Sequence, residues 1–374
     1  MNSKYIIKNT ITNFIKNFDK KEVIDCLNPT DLSSLLLLFT EIDKNPLIEY
    51  KTKNIKYLLI KNITSLNSIY KGISITSGLS LFGTLLFYNK NLIDPSIYES
   101  LINKLNNTLK NNFTSKNNYS IDYFEFINGY CGVANYLRII SNKNELSDII
   151  NASLSLFDKN NLTQEYKWLT SSNLPHIFPN GYYNLGLSHG ISGIIGLLGL
   201  TLKNMDYDSQ KKVKHTIEFI LNLRTPNGWP AKIYKSNIFR NNYPASWCYG
   251  FTGISTSLFN FYTMTNDVIL QKEIKTLYMT FIKNSSYEKL ISNTIICHGS
   301  GGILLGLKKF DNKQLWSKEL SEKIINSIIT DIKIDDELIN KNLSFLDGEI
   351  SKILSLNSFI TDDITITDKI LLFY

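Results

Sequence analysis

Two kinds of apolar pattern alternate along this chain. Segments such as "ISGIIGLLGL" (Ile191–Leu200) and "TGISTSLFNFY" are apolar nearly all round, as a helix buried on every side requires. Between them lie amphipathic stretches. In "SQKKVKHTIEFILNL" the apolar residues Val213, Ile217, Ile220 and Leu221 fall on one face of a helix, which predicts a surface helix with a solvated side. Strand-like alternation is almost absent. The pattern predicts an all-α protein of helix pairs, each with one buried and one half-solvated member.

The pairs recur. Each buried run follows a Gly-x-x-Gly or a near equivalent, and its second small residue is Gly83, Gly132, Gly193, Gly253, Gly302 and then Ser351. Successive intervals are 49, 61, 60, 49 and 49 residues. One further step of 49 backwards reaches Ser34 in "DLSSLLLLF", where the glycines are gone but a small-then-apolar character persists. The count is seven units, the first (about 20–60) degenerate. Repeated helix pairs either stack as an open solenoid or close on themselves. Glycine at nearly every buried-helix start favours closure, because it lets turns converge at one end and supplies positive φ where needed. The expectation is one α/α-toroid domain over 1–374, with the Gly-x-x-Gly turns around one cavity.

Composition narrows the setting. With 43% hydrophobic and 20% charged residues the 374-residue chain is ordinary globular material. Its longest apolar runs fall short of a membrane span, and "MNSKYIIKNTITNFIKNFDKKEV" has no compact hydrophobic core or cleavage site of a signal peptide. A cytoplasmic location is expected. The net charge of +7 comes mostly from lysines scattered among asparagines, without the Arg-rich stripe or finger spacing of a nucleic-acid binder, so no nucleic-acid partner is expected. Four cysteines are too few for a disulfide framework.

The chemistry gathers at the repeat turns. The residues just before the glycine pairs are Asn128, His189, Cys248, and Cys297 with His298. Cys248, Cys297 and His298 form a Cys2His set, and three protein ligands with an open fourth position is the catalytic rather than the structural zinc pattern. Cys131 and Cys26 read as core residues. His215 reads as surface, and His176 in "NLPHIFPNGYY" as part of a loop.

"WCYG" at 247–250, "CHG" at 297–299 and "NLGLSHG" at 184–190 together resemble the LanC-type lanthionine synthetase cyclases, as does "NGWP" at 227–230. The resemblance spans nearly the whole chain. It implies an α/α toroid of seven inner and seven outer helices, and one Zn2+ per chain on Cys248, Cys297 and His298. It also implies a reaction that closes thioether rings, adding peptide cysteine thiolates to dehydroalanine or dehydrobutyrine in a lantibiotic precursor. His189 matches the family's catalytic histidine. Two positions depart from the pattern. Where the family has an aspartate, this chain has Glu125, with Asp122 three residues earlier. Four residues before the WCYG cysteine, where the family has an arginine, stands Pro244, and Arg240 is the nearest arginine. Glu125 or Asp122 would orient His189, Tyr249 beside a zinc ligand would donate to the developing enolate, and Arg240 would supply a cation. The dehydrated precursor peptide is the implied substrate. A dehydratase and an export transporter are the implied partners, in an assembly that would hold the chain at the membrane periphery. Three other readings compete. A zinc-binding peptide scaffold without full cyclase activity would follow from Pro244. A prenyltransferase-like toroid would also use zinc to activate a thiol. A glycan hydrolase or lyase would need paired carboxylates at the cavity.

Overall fold

The computed structural model describes residues 3–18, 21–65, 72–114, 124–170, 181–201, 205–234, 244–291, 293–311, 318–332 and 341–373. Among these the chain forms seventeen α-helices: α1 (Ser3–Lys16), α2 (Lys21–Asp25), α3 (Pro29–Ile42), α4 (Lys53–Ser65), α5 (Leu79–Tyr88), α6 (Pro95–Thr114), α7 (Tyr130–Ile139), α8 (Lys143–Leu154), α9 (Ile191–Thr201), α10 (Tyr207–Asn222), α11 (Phe251–Met264), α12 (Val268–Asn284), α13 (Tyr287–Ile291), α14 (Ser300–Phe310), α15 (Lys318–Asp331), α16 (Glu349–Ile360) and α17 (Ile366–Ile370). Strands β1 (Tyr182–Asn184) and β2 (Lys232–Tyr234) form one antiparallel ribbon. No helix among the described residues is long and apolar enough to cross a membrane.

The two sequence patterns become two helix classes. In α9 every residue from Ile191 to Gly199 is buried, and α3, α5, α7, α11, α14 and α16 are similarly enclosed. The amphipathic helices bury one stripe. In α10 that stripe is Val213, Thr216, Ile217 and Ile220, the i, i+3, i+4, i+7 spacing of one helical face. Thr216, rather than the expected Leu221, completes it. Asp206 caps α10 by accepting from the Ser209 amide at 2.8 Å.

The chain packs as two compact units. The first comprises Phe113–Ser286. In it α7, α9 and α11 lie side by side, with α8 on α7 and α12 on α11. Backbone hydrogen bonds link the successive turns: Phe126 donates to Ser188 O at 3.0 Å, and Ser188 donates to Cys248 O at 3.1 Å. The glycines here serve close approach. A Cβ on Gly253 would lie 1.9 Å from Trp247 O and 2.9 Å from Leu187 Cβ of the preceding turn. Positive φ, part of the sequence-based expectation, is not the reason. The helix-capping Gly129 and Gly250 have φ of −117°, in the ordinary extended region.

The second unit comprises Met1–Asn112 and Tyr287–Tyr374. It joins the first repeat to the last. α16 packs against both α14 and α3, and α3 packs on α4 and α5. α16 is followed by the five-residue α17, and a long amphipathic helix packed against it is α1. Buried polar bonds stitch this seam. Phe345 N donates to Ser34 Oγ at 3.0 Å, Leu343 N to Asp31 Oδ1 at 3.2 Å, and Asn45 Nδ2 to Asn357 Oδ1 at 2.7 Å. Ser34 is the residue that replaces glycine in the degenerate first repeat. In an open solenoid the end repeats would not meet.

Candidate functional site

Every candidate residue among the described ones sits in the turn that enters a buried helix. Glu125 precedes α7, His189 precedes α9, Cys248 and Tyr249 precede α11, and Cys297 and His298 precede α14. Asp122, Arg240 and His176 lie outside the described residues.

Glu125 is buried, and both its oxygens are committed. One accepts from the Asn128 amide and the other meets His189 Nδ1. The turn folds back so that Asn128, the third-repeat counterpart of His189, offers backbone rather than side chain. Side-chain exposure is 12% for Glu125 and 36% for His189, so the carboxylate grips one edge of a ring whose other edge, Nε2, is the nitrogen available to a reactant. Such a buried carboxylate fixes the tautomer and orientation of an imidazole. Among the described residues Glu125 thus pairs with histidine, not with the second carboxylate that a glycan hydrolase needs.

Tyr249 lies beside this pair, its ring centroid 5.6 Å from that of His189 with a 34° tilt. Its hydroxyl is hydrogen-bonded to Asn184, and burial raises its pKa above the usual tyrosine value, so it stays protonated and able to donate at neutral pH. Gly186 makes room for it, since a Cβ there would lie 2.8 Å from Tyr249 Cδ1 and 2.7 Å from Cys248 O. Cys248 is buried, with Sγ 3.6 Å from Ser246 Oγ and its carbonyl accepting from both the amide and the hydroxyl of Ser188. Cys297 is half-buried and His298 exposed. Cys297 N donates to Leu346 O at 3.0 Å, which holds its turn to the next. The atoms that Cys248, Cys297 and His298 offer to a metal all lie within 4.8 Å of one another.

Three further sequence readings meet the structure here. Cys131 is fully buried as expected, and burial pushes its thiol well above the ordinary range. Cys26 is exposed, contrary to the core reading: it follows the five-residue α2, which is too short to carry it under a neighbouring layer. "NGWP" proves to be a packing motif. Gly228 takes a φ of +111° in the turn, and Trp229 is buried with Nε1 donating to Ile220 O at 2.8 Å and its ring 4.6 Å from that of Phe251. The sequence reading missed Asn184, which braces Tyr249, and Lys232 opposite it on β2. Asn184 opens the "NLGLSHG" stretch, but nothing in it pointed to Tyr249, and strands of three residues carry no readable alternation that would mark Lys232.

Comparison with known proteins shows the family and the fold. A family profile described as lanthionine synthetase C-like protein matches residues 32–372. Nisin biosynthesis protein NisC of Lactococcus lactis subsp. lactis is 26% identical over 389 aligned positions, covering 92% of this chain and 87% of that protein. A solved structure of nisin cyclase superposes with a TM-score of 0.74 at 20% identity, covering 99% of this chain and 97% of that one. This likeness shows a shared fold, the all-helical toroid class that the repeat predicts.

Proposed function

Because the chain belongs to the lanthionine synthetase C-like family, we propose that it is a thioether-forming peptide cyclase, acting on a dehydrated precursor peptide that carries cysteines and dehydroalanine or dehydrobutyrine. The observation that carries this reading is the Glu125–His189 pair beside Tyr249, in the same family of turns that presents Cys248, Cys297 and His298.

The three sulfur and nitrogen donors suit Zn2+, one per chain. Tetrahedral ligand atoms about 2.0–2.3 Å from zinc lie about 3.5 Å apart, so a group within 4.8 Å needs only small side-chain rotations to close on the ion. Zinc held there would keep a substrate thiol deprotonated at neutral pH, where a free thiol of pKa about 8.5 is mostly protonated.

The remaining chemistry belongs to the protein's own side chains. When the substrate sulfur adds to the β-carbon, a C–S bond forms and the alkene π pair moves towards the carbonyl oxygen as an enolate. Tyr249 stands as a hydrogen-bond donor for that oxygen. His189, fixed through Nδ1, takes the proton released by the incoming thiol on Nε2 and delivers it to the α-carbon, and Glu125 stabilises the imidazolium in between. Pro244 supplies no cation to this turn. Arg240 keeps its proposed cationic role from the sequence, as Asp122 keeps that of a supporting carboxylate. Assembly with a dehydratase and an export transporter, and through them at the cytoplasmic membrane surface, is proposed on the family relationship.

The test is ring closure itself. The zinc-loaded protein is incubated with a dehydrated peptide, and unreacted thiols are counted by alkylation and mass spectrometry. Loss of thiols well above the protein-free rate is expected. Thiols that persist while the peptide still binds would replace the enzyme with the zinc-binding scaffold.

A further inference from the structure

The short ribbon that the sequence did not reveal carries a cation to the candidate site. In the β1–β2 register Asn184 stands opposite Lys232, and Tyr182 opposite Tyr234. Residues directly opposite share a face, as do residues two apart, so Tyr182, Asn184 and Lys232 project to one side while Tyr183 and Ile233, both buried, project to the other. The ribbon is braced at its end by Leu185 N donating to Ala231 O at 3.1 Å. On the shared face, Lys232 Nζ stands 4.7 Å from the Tyr182 ring centroid and 6.0 Å from that of Tyr249. Asn184, directly opposite Lys232, hydrogen-bonds the Tyr249 hydroxyl and accepts from Gly186 N at 3.1 Å. The resulting row runs Lys232, Tyr249, His189, Glu125, with Tyr249 the shared neighbour of cation and imidazole.

An ammonium within about 6 Å of an aromatic centroid is attracted to the ring and fixes its position. It also draws electron density from the ring, which strengthens donation by the phenol. Placed on a ribbon rather than on a long loop, the charge is presented in one geometry, as preorganised stabilisation of developing negative charge requires.

We propose that Lys232 is a positioning residue for ring closure, holding Tyr249 in place and acting through its ring on the charge that develops at the substrate's enolate oxygen. The proposal rests on the cyclase reading above.

Lys232→Met removes the charge at similar length, Lys232→Gln is a second uncharged variant, and Lys232→Arg keeps the charge. Zinc content and thermal unfolding are expected to match wild type in all three. For the uncharged variants kcat should fall about 3- to 30-fold, the range of one cation–ring contact, with KM nearly unchanged, and Lys232→Arg should recover most of the loss. The second readout needs no turnover. With 3-fluorotyrosine incorporated at position 249, the fluorine resonance should move in Lys232→Met and Lys232→Gln and return towards its wild-type position in Lys232→Arg. Uncharged variants with wild-type kcat and an unmoved resonance would overturn the proposal, as would a rise in KM alone, which would mark Lys232 as a ground-state peptide contact. If wild type itself closes no rings the cyclase reading fails, while the fluorine resonance still reports whether Lys232 governs Tyr249.

Discussion

Replacing Glu41 with glutamine should make the protein progressively more stable than wild type as pH rises. Glu41 is 3% exposed, in α3, at the seam between first and last repeats. One oxygen accepts from Thr367 N and the other from Asn357 Nδ2 at 3.2 Å. Burial is the largest influence on its carboxyl, and the charge of Asp368 adds to it. Together they outweigh the hydrogen bonds and raise the pKa from 4.5 to about 7. The folded protein therefore holds this proton more tightly than the unfolded chain does. The stabilisation is fully present below pH 4.5 and is lost as pH rises through about 7. A shift of this size corresponds to about 3 kcal/mol. Glutamine cannot ionise, but it turns an N–H towards the Asn357 donor, a mismatch costing about 1 kcal/mol. The variant should thus be nearly as stable as wild type at pH 5, where the unfolded glutamate is already mostly ionised and the two effects almost cancel, and about 2 kcal/mol more stable at pH 8. Lys309, half-buried and held down to about 7 by loss of solvent, changes stability in the opposite sense, so the readout is the difference between the proteins. Urea unfolding of both at pH 5, 6, 7 and 8 supplies it. A difference that stays constant across this range would refute the assignment of a neutral Glu41 to the folded seam.

The other expectations concern the candidate site. Cys297→Ala should lose most of the bound zinc by elemental analysis yet stay folded, because its unit keeps a separate apolar core in α3, α14 and α16; undiminished zinc would remove Cys297 from the ligand set. His189→Ala should retain zinc and peptide binding while ring closure slows by about 10²–10⁴-fold, the usual contribution of a proton-transfer group, or yields rings scrambled at the α-carbon; a wild-type rate in a stable variant would exclude the role. Gly253→Ala forces a Cβ to within 1.9 Å of Trp247 O, so the turn bearing Cys248 must shift; a loss of about 1–3 kcal/mol together with weaker zinc retention is expected, and an unchanged melting temperature with full zinc would contradict the packing described.

The helix pairs were legible because burial imposes a helical period that needs no knowledge of neighbours: α9 is apolar throughout and α10 striped, and both read correctly from the chain. The glycine spacing located every turn from the second repeat onward, and Ser34 was identified by interval alone. The reason for the glycines was less visible. A missing Cβ serves equally for positive φ and for close approach, and only the neighbouring Trp247 carbonyl distinguishes them at Gly253. Cys248, Cys297 and His298 could be grouped because equivalent repeat positions recur in space. The pairing of Asn184 with Lys232 lay beyond reach, because a three-residue strand pairing across 48 residues leaves no periodic trace. Exposure of Cys26 likewise depends on where a five-residue helix ends, which local composition does not decide.

The covering of α16 by α1 bears on how the chain is made. Asn45 and Asn357, which bond across the same seam, lie 312 residues apart. At a synthesis rate of roughly 5–20 residues per second, that separation is roughly 15–60 s on the ribosome. Throughout that interval Ile7, Ile11, Phe14 and Ile15 of α1, all buried in the finished fold, lack their final partner. The nascent chain thus carries an amphipathic helix whose apolar face waits while the repeats between are made. The contact that covers this face, α1 on α16, forms only after the repeats between have been made.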